Sequence, residues 1–330
     1  MRRVLAVPAE RDGERVDRFV TGALVAEGLV VSRALVQSWC GDGLVRRRGA
    51  ALKSSATLAG GDAIEVELRL PSESPLVPDP SVEFGIVYED EDLVVVDKPP
   101  HLVVHPAKSH REHTLVHGLL ARGGFEAVSL EDCVRPGVVH RLDKGTSGLL
   151  VVAKRVAARE KLKAQFMSHS IDREYVALVV GLGVSATWDT PHGRHPTDRV
   201  RFTSRNPAGE ARRAITHVEL VRALPSGVSL VRCTLETGRT HQIRVHLAER
   251  GKTPVLGDPL YGSRPRDPVL AQVADSLGRQ ALHARVLGFE HPSTGRRVRF
   301  EREPPEDFRR ALDAVSAAST RPSTSRGPST

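Results

Sequence analysis

Short apolar runs recur through the second half of the chain, and they limit its architecture more than any other feature. Residues 93–96 (LVVV), 149–153 (LLVVA), 176–180 (VALVV), 229–235 and 243–247 have the length and apolar character of sheet strands. Helical spacing occurs between only some of them, at about 115–121, 156–168 and 306–314. A regular βαβ winding needs a helix after nearly every strand. The pattern therefore predicts an α+β domain with a mixed, largely antiparallel sheet.

A different pattern fills residues 1–70. Val16, Phe19, Val20, Ala23 and Leu24 predict a helix over 15–27 that ends at Gly28. Ser32 is a natural N-cap for a second helix, with Leu35, Val36, Trp39 and Cys40 on one face, stopping near Gly41–Gly43. Trp39 shares that apolar face and reads as core. Leu44-Val45, the basic turn Arg46-Arg47-Arg48-Gly49 and the alternating Ile64, Val66 and Leu68 read as short strands. These signs predict a small α/β module over 1–70, a Pro/Ser-rich linker over 71–84, a large domain over 85–312 and a disordered tail over 313–330.

The formal net charge is +8, which favours a polyanionic partner. Residues 1–70 carry 11 Lys/Arg against 9 Asp/Glu, and residues 71–84 carry three acids and no base. The surplus thus lies mainly in the large domain. Cys40, Cys133 and Cys233 are far apart and give no zinc or disulfide framework, which fits a reducing compartment. The first residues break their apolar run at Pro8 and Glu10, unlike a signal peptide. No stretch is long and apolar enough to span a bilayer. The expectation is a soluble cytoplasmic protein without a membrane partner.

The densest chemistry lies in 135–154, RPGVVHRLDKGTSGLLVVAK. Asp143 stands between Arg141 and Lys144, charges that favour an ionised carboxylate, and a small-residue loop leads into an apolar strand. Such a carboxylate can act as nucleophile or base; the same residues also fit a surface turn with local ion pairs. In 236–247, ETGRTHQIRVHL, Arg239 and Arg244 are candidates for binding carboxylate or phosphate, with Arg244 expected in a loop-to-strand setting; a solvated basic strand is the alternative. His140-Arg141-Leu142-Asp143 lacks the spacing and companions of a kinase catalytic loop. Gly181-Leu182-Gly183-Val184-Ser185-Ala186 matches a dinucleotide fingerprint, but Thr187–Thr190, Pro191 and Gly193 would not support the helix it needs. His105, His110, His113, His241 and His246 lack a metal-site pattern, and no metal is expected.

RPGVVHRLDKGTSGLLVVAK resembles the signature of the RluA/RluD-type pseudouridine synthases. DLVVVDKPPHLVVHP (92–106), IDREYVALVVG (171–181), GRHPTDR (193–199), LETGRTHQIRVHL (235–247), VLGDPLYG (255–262) and RQALHARVLGFEHPSTG (279–295) match in order, from about residue 85 to 310. The last blocks look most like the RluD branch, which modifies large-subunit ribosomal RNA. Asp97-Lys98-Pro99-Pro100-His101 stands where the family has NKPxG, and Gly145 where that branch often has Asp. Residues 1–70 resemble the RNA-binding module of the S-four protein of the small ribosomal subunit, with Arg48-Gly49 in place of its usual Asn-Gly turn.

The resemblance implies a pseudouridine synthase fold and the isomerisation of specific uridines. Asp143 would be nucleophile or base, Arg244 its partner, Tyr175 the residue against the detached base, and Arg141 the side chain that fills the gap left by the flipped nucleotide. Without the resemblance Tyr175 reads as a buried strand residue. Arg33, Arg46, Arg47, Arg48, Arg239, Thr240 and His241 would contact RNA, as would Lys98, Arg194 and Arg199. The rearrangement needs no redox cofactor, nucleotide or metal. Ribosomal RNA or a pre-ribosomal particle is the implied partner, with the enzyme a monomer. A non-catalytic assembly factor on the same fold and an aspartate-dependent hydrolase are the competing readings.

Overall fold

The computed structural model describes residues 2–27, 29, 31, 33–69, 76–107, 110–126 and 137–318. Gly28, Ser32, Cys133 and the tail from residue 319 lie outside these, as does the linker over 71–75. The chain divides into two compact units, one of residues 1–79 and 119–137, the other of residues 80–118 and 138–330.

In the first unit β1 (Arg2–Ala6), β4 (Ala63–Glu67), β2 (Val45–Arg47) and β3 (Ala50–Ala51) form a four-stranded sheet in that order. Helices α1 (Val16–Ala26) and α2 (Arg33–Gly41) share its core through Phe19, Leu24, Val36 and Trp39. The indole of Trp39 donates to the carbonyl of Arg69 at 2.7 Å, which satisfies its only polar atom. Arg48 (φ 52°) and Gly49 (φ 79°) both lie in the left-handed region, as a two-residue turn joining β2 to β3 requires.

The second unit is built on a 10-stranded sheet in the order β10 (Phe202–Thr203), β9 (Ala186–Arg194), β11 (Ala208–Ala223), β12 (Val228–Leu235), β8 (Asp172–Val180), β13 (Leu282–Glu290), β7 (Ser147–Ala153), β6 (Leu93–Lys98) and β5 (Gly85–Glu89). β14 (Arg297–Glu301) pairs with β13. Only β7 and β13 run parallel, so the sheet is mixed and largely antiparallel, as its apolar pattern predicts. Helix α4 (Val156–Met167) packs Ala158 and Leu162 onto β6, β7 and β13. Helix α6 (Pro268–Leu277) is N-capped by Asp267, whose carboxylate accepts from the amides of Val269 and Leu270. Helix α3 (Leu115–Arg122) falls where the two units divide, and α7 (Glu306–Ala317) continues past residue 312 with Val315 fully buried.

One expected strand is a helix. Residues 243–247 belong to α5 (Gln242–Glu249). Gln242 through Leu247 are all buried, so neither a period of two nor one of 3.6 shows in the sequence. Its buried polar side chains are matched individually. The ring of His246 sits between the hydroxyls of Thr190 (2.9 Å) and Thr216 (2.8 Å).

The close pairing of β7 with β13 depends on Gly148, whose φ is +110° and whose added Cβ would collide with the carbonyl of Ala284. Gly148→Ala is expected to lower unfolding stability by about 2–4 kcal/mol in urea titration. Gly227→Ala, at φ +75° with open space around it, should cost only about 1 kcal/mol. Burial pushes His246 down to about 4. Its folded value is below its unfolded one, so its contribution is complete above about pH 6.5 and is lost as pH falls toward 4. That loss should reach about 3 kcal/mol. His246→Gln should flatten the urea midpoint against pH over this interval, and an unchanged slope would exclude His246 as a source.

Candidate active site

Asp143 lies in the loop 138–146, which enters β7 directly. Four buried or partly buried side chains hold that loop, His140 from within it and Lys98, Arg279 and Gln280 from outside it. His140 Nε2 accepts from the amide of Val151 at 3.0 Å. Lys98, at the end of β6 and fully buried, donates to the carbonyls of Pro99 (2.8 Å), Leu102 (2.9 Å) and Lys144 (3.3 Å). Arg279 donates to the carbonyl of Gly145 at 3.0 Å and is itself held by both oxygens of Asp307 on α7. Gln280 donates to the hydroxyl of Thr146 at 3.1 Å, and its amide fills the space a side chain at residue 145 would need. Gly145 therefore suits this loop. His101, which occupies the glycine position of NKPxG, takes φ 65°.

Arg244 reaches the loop from α5. Its Nε and Nη2 donate to Asp258 Oδ2 and Oδ1, both at 2.7 Å, and its Nη1 donates to Asp143 Oδ2 at 3.0 Å. Burial opposes the charge on Arg244, but the bonds to Asp258 and the charge of Asp143 outweigh it and hold the guanidinium above its usual range. Asp258 also accepts from the amides of Leu260 and Tyr261. It is fixed before it fixes the arginine. Gln242 accepts from the amide of Arg239 and the hydroxyl of Thr237 while donating to Ile215 and Thr216, which sets the turn into α5.

Asp143, Tyr175 and Arg244 meet at one cavity of about 530 Å³, which Arg141, Arg239 and His241 also line. Asp143 Oδ1 has no hydrogen bond among the described residues; His241 Nε2 lies 3.9 Å from it. The hydroxyl of Tyr261 accepts from the amide of Phe202 and sits 2.9 Å from His241 Nδ1. It can donate a hydrogen bond to an unprotonated Nδ1, which leaves the ring proton on Nε2, facing Asp143. Burial keeps His241 below its ordinary value although the charge of Asp143 pulls it upward. Burial pushes the Tyr175 hydroxyl up, so it keeps its proton at neutral pH.

Not every residue expected at the site is free to meet a ligand. Lys98 is spent on the carbonyls of Pro99, Leu102 and Lys144. Thr240 gives its carbonyl to His192 Nε2 at 2.9 Å, and Arg239 Nε donates to Arg213 O at 3.2 Å. Arg194 donates to Arg199 O and lies over Phe202, 4.7 Å from the ring centre. Arg141 is exposed and makes no hydrogen bond among the described residues. In the first unit Arg33 pairs with buried Asp17 (3.0 Å), Arg47 pairs with Asp62 (2.7 Å), Arg46 donates to Gly43 O, and Arg48 is exposed at the turn.

The sequence does not single out Asp258, Tyr261, Arg279 or Asp307 as site residues. Asp258, Tyr261 and Arg279 stand inside the family-like blocks 255–262 and 279–295, but no local pattern singles them out. Asp307 carries no local signal, because its role depends on Arg279. No helix among the described residues is long and apolar enough to cross a membrane. Asp90, Asp92 and His291 cluster closely enough to hold a cation, but Asp90 already accepts from Tyr88, His291 and two backbone amides.

Known proteins resemble this chain along most of its length. The family model described as RNA pseudouridylate synthase matches residues 92–249. An uncharacterized RNA pseudouridine synthase of Bacillus subtilis, YlyB, is 40% identical over 92% of this chain and 95% of its own. Ribosomal large subunit pseudouridine synthase D of Xanthomonas campestris is 39% identical over 97% of this chain and 94% of its own. The solved structure of human RNA pseudouridylate synthase domain containing 1 superposes with a TM-score of 0.54 at 26% identity, covering 73% of this chain and 98% of that one. The fold, the meeting of Asp143 with Arg244 across 101 positions of sequence, and these relatives agree: the chain belongs to the RNA pseudouridylate synthase family.

Proposed function

We propose that this protein isomerises specific uridines to pseudouridine in the ribosomal RNA of the large subunit, with Asp143 as the group that acts on the ribose. The observation that carries the reading is the Asp143 carboxylate, with one oxygen bound to Arg244 and the other directed at a cavity of about 530 Å³. That volume suits a small ligand such as a nucleoside, not a paired helix, so the target must leave its stack. Arg141, exposed at the cavity rim, is suited to replace it, because a planar guanidinium can stack on bases and reach phosphates. Asp143 then attacks C1′ or removes a proton from C2′. The base detaches, turns against Tyr175 and rejoins through its ring carbon. The rearrangement is neutral in electrons and phosphate, so no cofactor is invoked.

The choice of large-subunit RNA follows the name of the Xanthomonas relative. The enzyme acts in the cytoplasm, as a monomer, on ribosomal RNA or a pre-ribosomal particle. The first unit adds phosphate contacts through its basic turn. A non-catalytic assembly factor is not favoured, because Asp143, Tyr175 and Arg244 are all present and share one cavity.

Asp143→Asn keeps the shape of the side chain and removes its charge. Pseudouridine formation should fall by at least about 10⁴-fold, with RNA affinity close to that of the parent. Product formed at the parental rate would remove Asp143 from the mechanism. Mapping pseudouridines with and without the gene should show a loss within a large-subunit stem-loop; loss confined to transfer RNA would redirect the substrate. Charge reversal across Arg46, Arg47 and Arg48 should reduce the steepness of RNA binding against salt by about 1–2 in log–log slope. A parallel line would mean that this turn does not touch phosphate.

A further inference from the structure

Arg173 is a buried cation that the described protein does not neutralise. It lies on β8, two residues before Tyr175, so both side chains stand on the same face of the strand. Both line the cavity that holds Asp143. Arg173 is only 6% exposed, and among the described residues none of its nitrogens pairs with a carboxylate. Its Nη2 donates to the carbonyls of Glu236 (2.6 Å) and Leu235 (3.4 Å). Its Nε is buried without a partner, and Nη1 makes no hydrogen bond among the described residues. The ring of Phe166 lies 5.5 Å from the guanidinium carbon. Gly238 leaves room for the head group, since a Cβ there would sit 2.6 Å from Nη1.

A guanidinium held this way, without an internal anion, is costly to bury unless negative charge arrives during function. Phosphates outside the cavity suit exposed arginines such as Arg141. The charge generated inside the cavity belongs to the base itself. When the N1–C1′ bond breaks, both electrons leave with the ring, and the detached uracil carries one negative charge spread over N1, O2 and O4. The ribose is balanced by a bond from Asp143 to C1′ or by transfer of the C2′ proton to Asp143. When C5 bonds to C1′, the Asp143–C1′ bond breaks or Asp143 returns its proton to C2′, the C5 proton is lost and N1 gains one, so composition is unchanged and Asp143 is regenerated. We infer that Arg173 is a catalytic residue whose Nη1 donates to a carbonyl oxygen of the detached uracil and stabilises its negative charge. Its anchoring to Glu236 and Leu235 places the charge in advance, the arrangement in which an electrostatic donor is most effective. Burial lowers the guanidinium from its usual range, the cost of enclosing a cation before negative charge arrives.

This inference rests on the pseudouridine synthase reading, and the wild-type enzyme tests that reading separately: if it forms no pseudouridine in ribosomal RNA, the reading fails irrespective of Arg173. With wild-type activity in hand, Arg173→Met should slow single-turnover product formation by about 100-fold or more with little change in RNA affinity. Arg173→Lys, which keeps the charge, should recover at least about tenfold of that loss. RNA carrying 5-fluorouridine at the target gives the decisive comparison, read as disappearance of the starting nucleoside. Fluorine stabilises the detached ring by itself, so the gap between wild type and Arg173→Met should narrow by about tenfold. A structural lesion would slow both substrates equally and overturn the assignment. Weakened RNA binding with an unchanged rate would also overturn it, by making Arg173 a phosphate contact. If Arg173→Met does not fold, the same two-substrate comparison with Arg173→Lys decides, because a shorter cation also leaves the ring's charge less well met.

Discussion

The ion pair between Arg244 and Asp258 is the contact from which the rest of the site follows. A guanidinium offers two edges to carboxylates, and here one edge is fully occupied by Asp258. Only Nη1 remains for Asp143, so Asp143 is gripped through one oxygen and the other is left to the cavity. Without Asp258 the arginine could turn and bind Asp143 with both nitrogens, which would close the carboxylate to any substrate. Two carboxylates around one cation also leave the cluster short of positive charge, which sustains the demand for cations around the cavity. The arrangement links residues 143, 244 and 258, and thus exists only when these separate segments are brought together.

Buried cations that grip backbone carbonyls do comparable work on the loop itself. Lys98 holds three carbonyls, and Arg279 ties Gly145 to the final helix through Asp307. Burial pushes Lys98 down to about 7, against the upward pull of Asp143. Its ammonium is therefore sustained by carbonyl dipoles and a nearby carboxylate, not by solvent. Through Arg279, α7 is tied to the signature segment although it is remote from it in sequence.

What could be read in advance divides along physical lines. Strands buried on both faces, such as Leu93–Lys98 and Ser147–Ala153, reveal themselves as continuous apolar runs. The long strand Ala208–Ala223 does not, because its first half is exposed and reads as solvated polar chain. Helix α5 was hidden because its first six residues are all buried, polar ones included, which erases any period. Asp143 was legible because its neighbours are themselves distinctive. Asp258 sits in Gly-Asp-Pro-Leu, where an aspartate ordinarily marks a turn. Nothing local distinguishes it from such a residue, since its meaning is supplied by an arginine 14 positions earlier.

The arginines of the large unit show why net charge alone locates a partner poorly. Arg244 and Arg279 are saturated by internal carboxylates, and they serve geometry. Arg141 is exposed with no hydrogen bond among the described residues, and it can serve phosphate. Arg173 belongs to neither class, being enclosed like the first two and yet without a carboxylate partner among the described residues. Salt ions screen exposed charges readily and enclosed ones hardly at all. Binding of a polyanion at the rim should therefore depend steeply on ionic strength, whereas a charge that develops inside the cavity would meet a cation that salt does not reach. The fold thereby separates the capture of a long anion from the stabilisation of a small, transient one, using the same side chain at different depths.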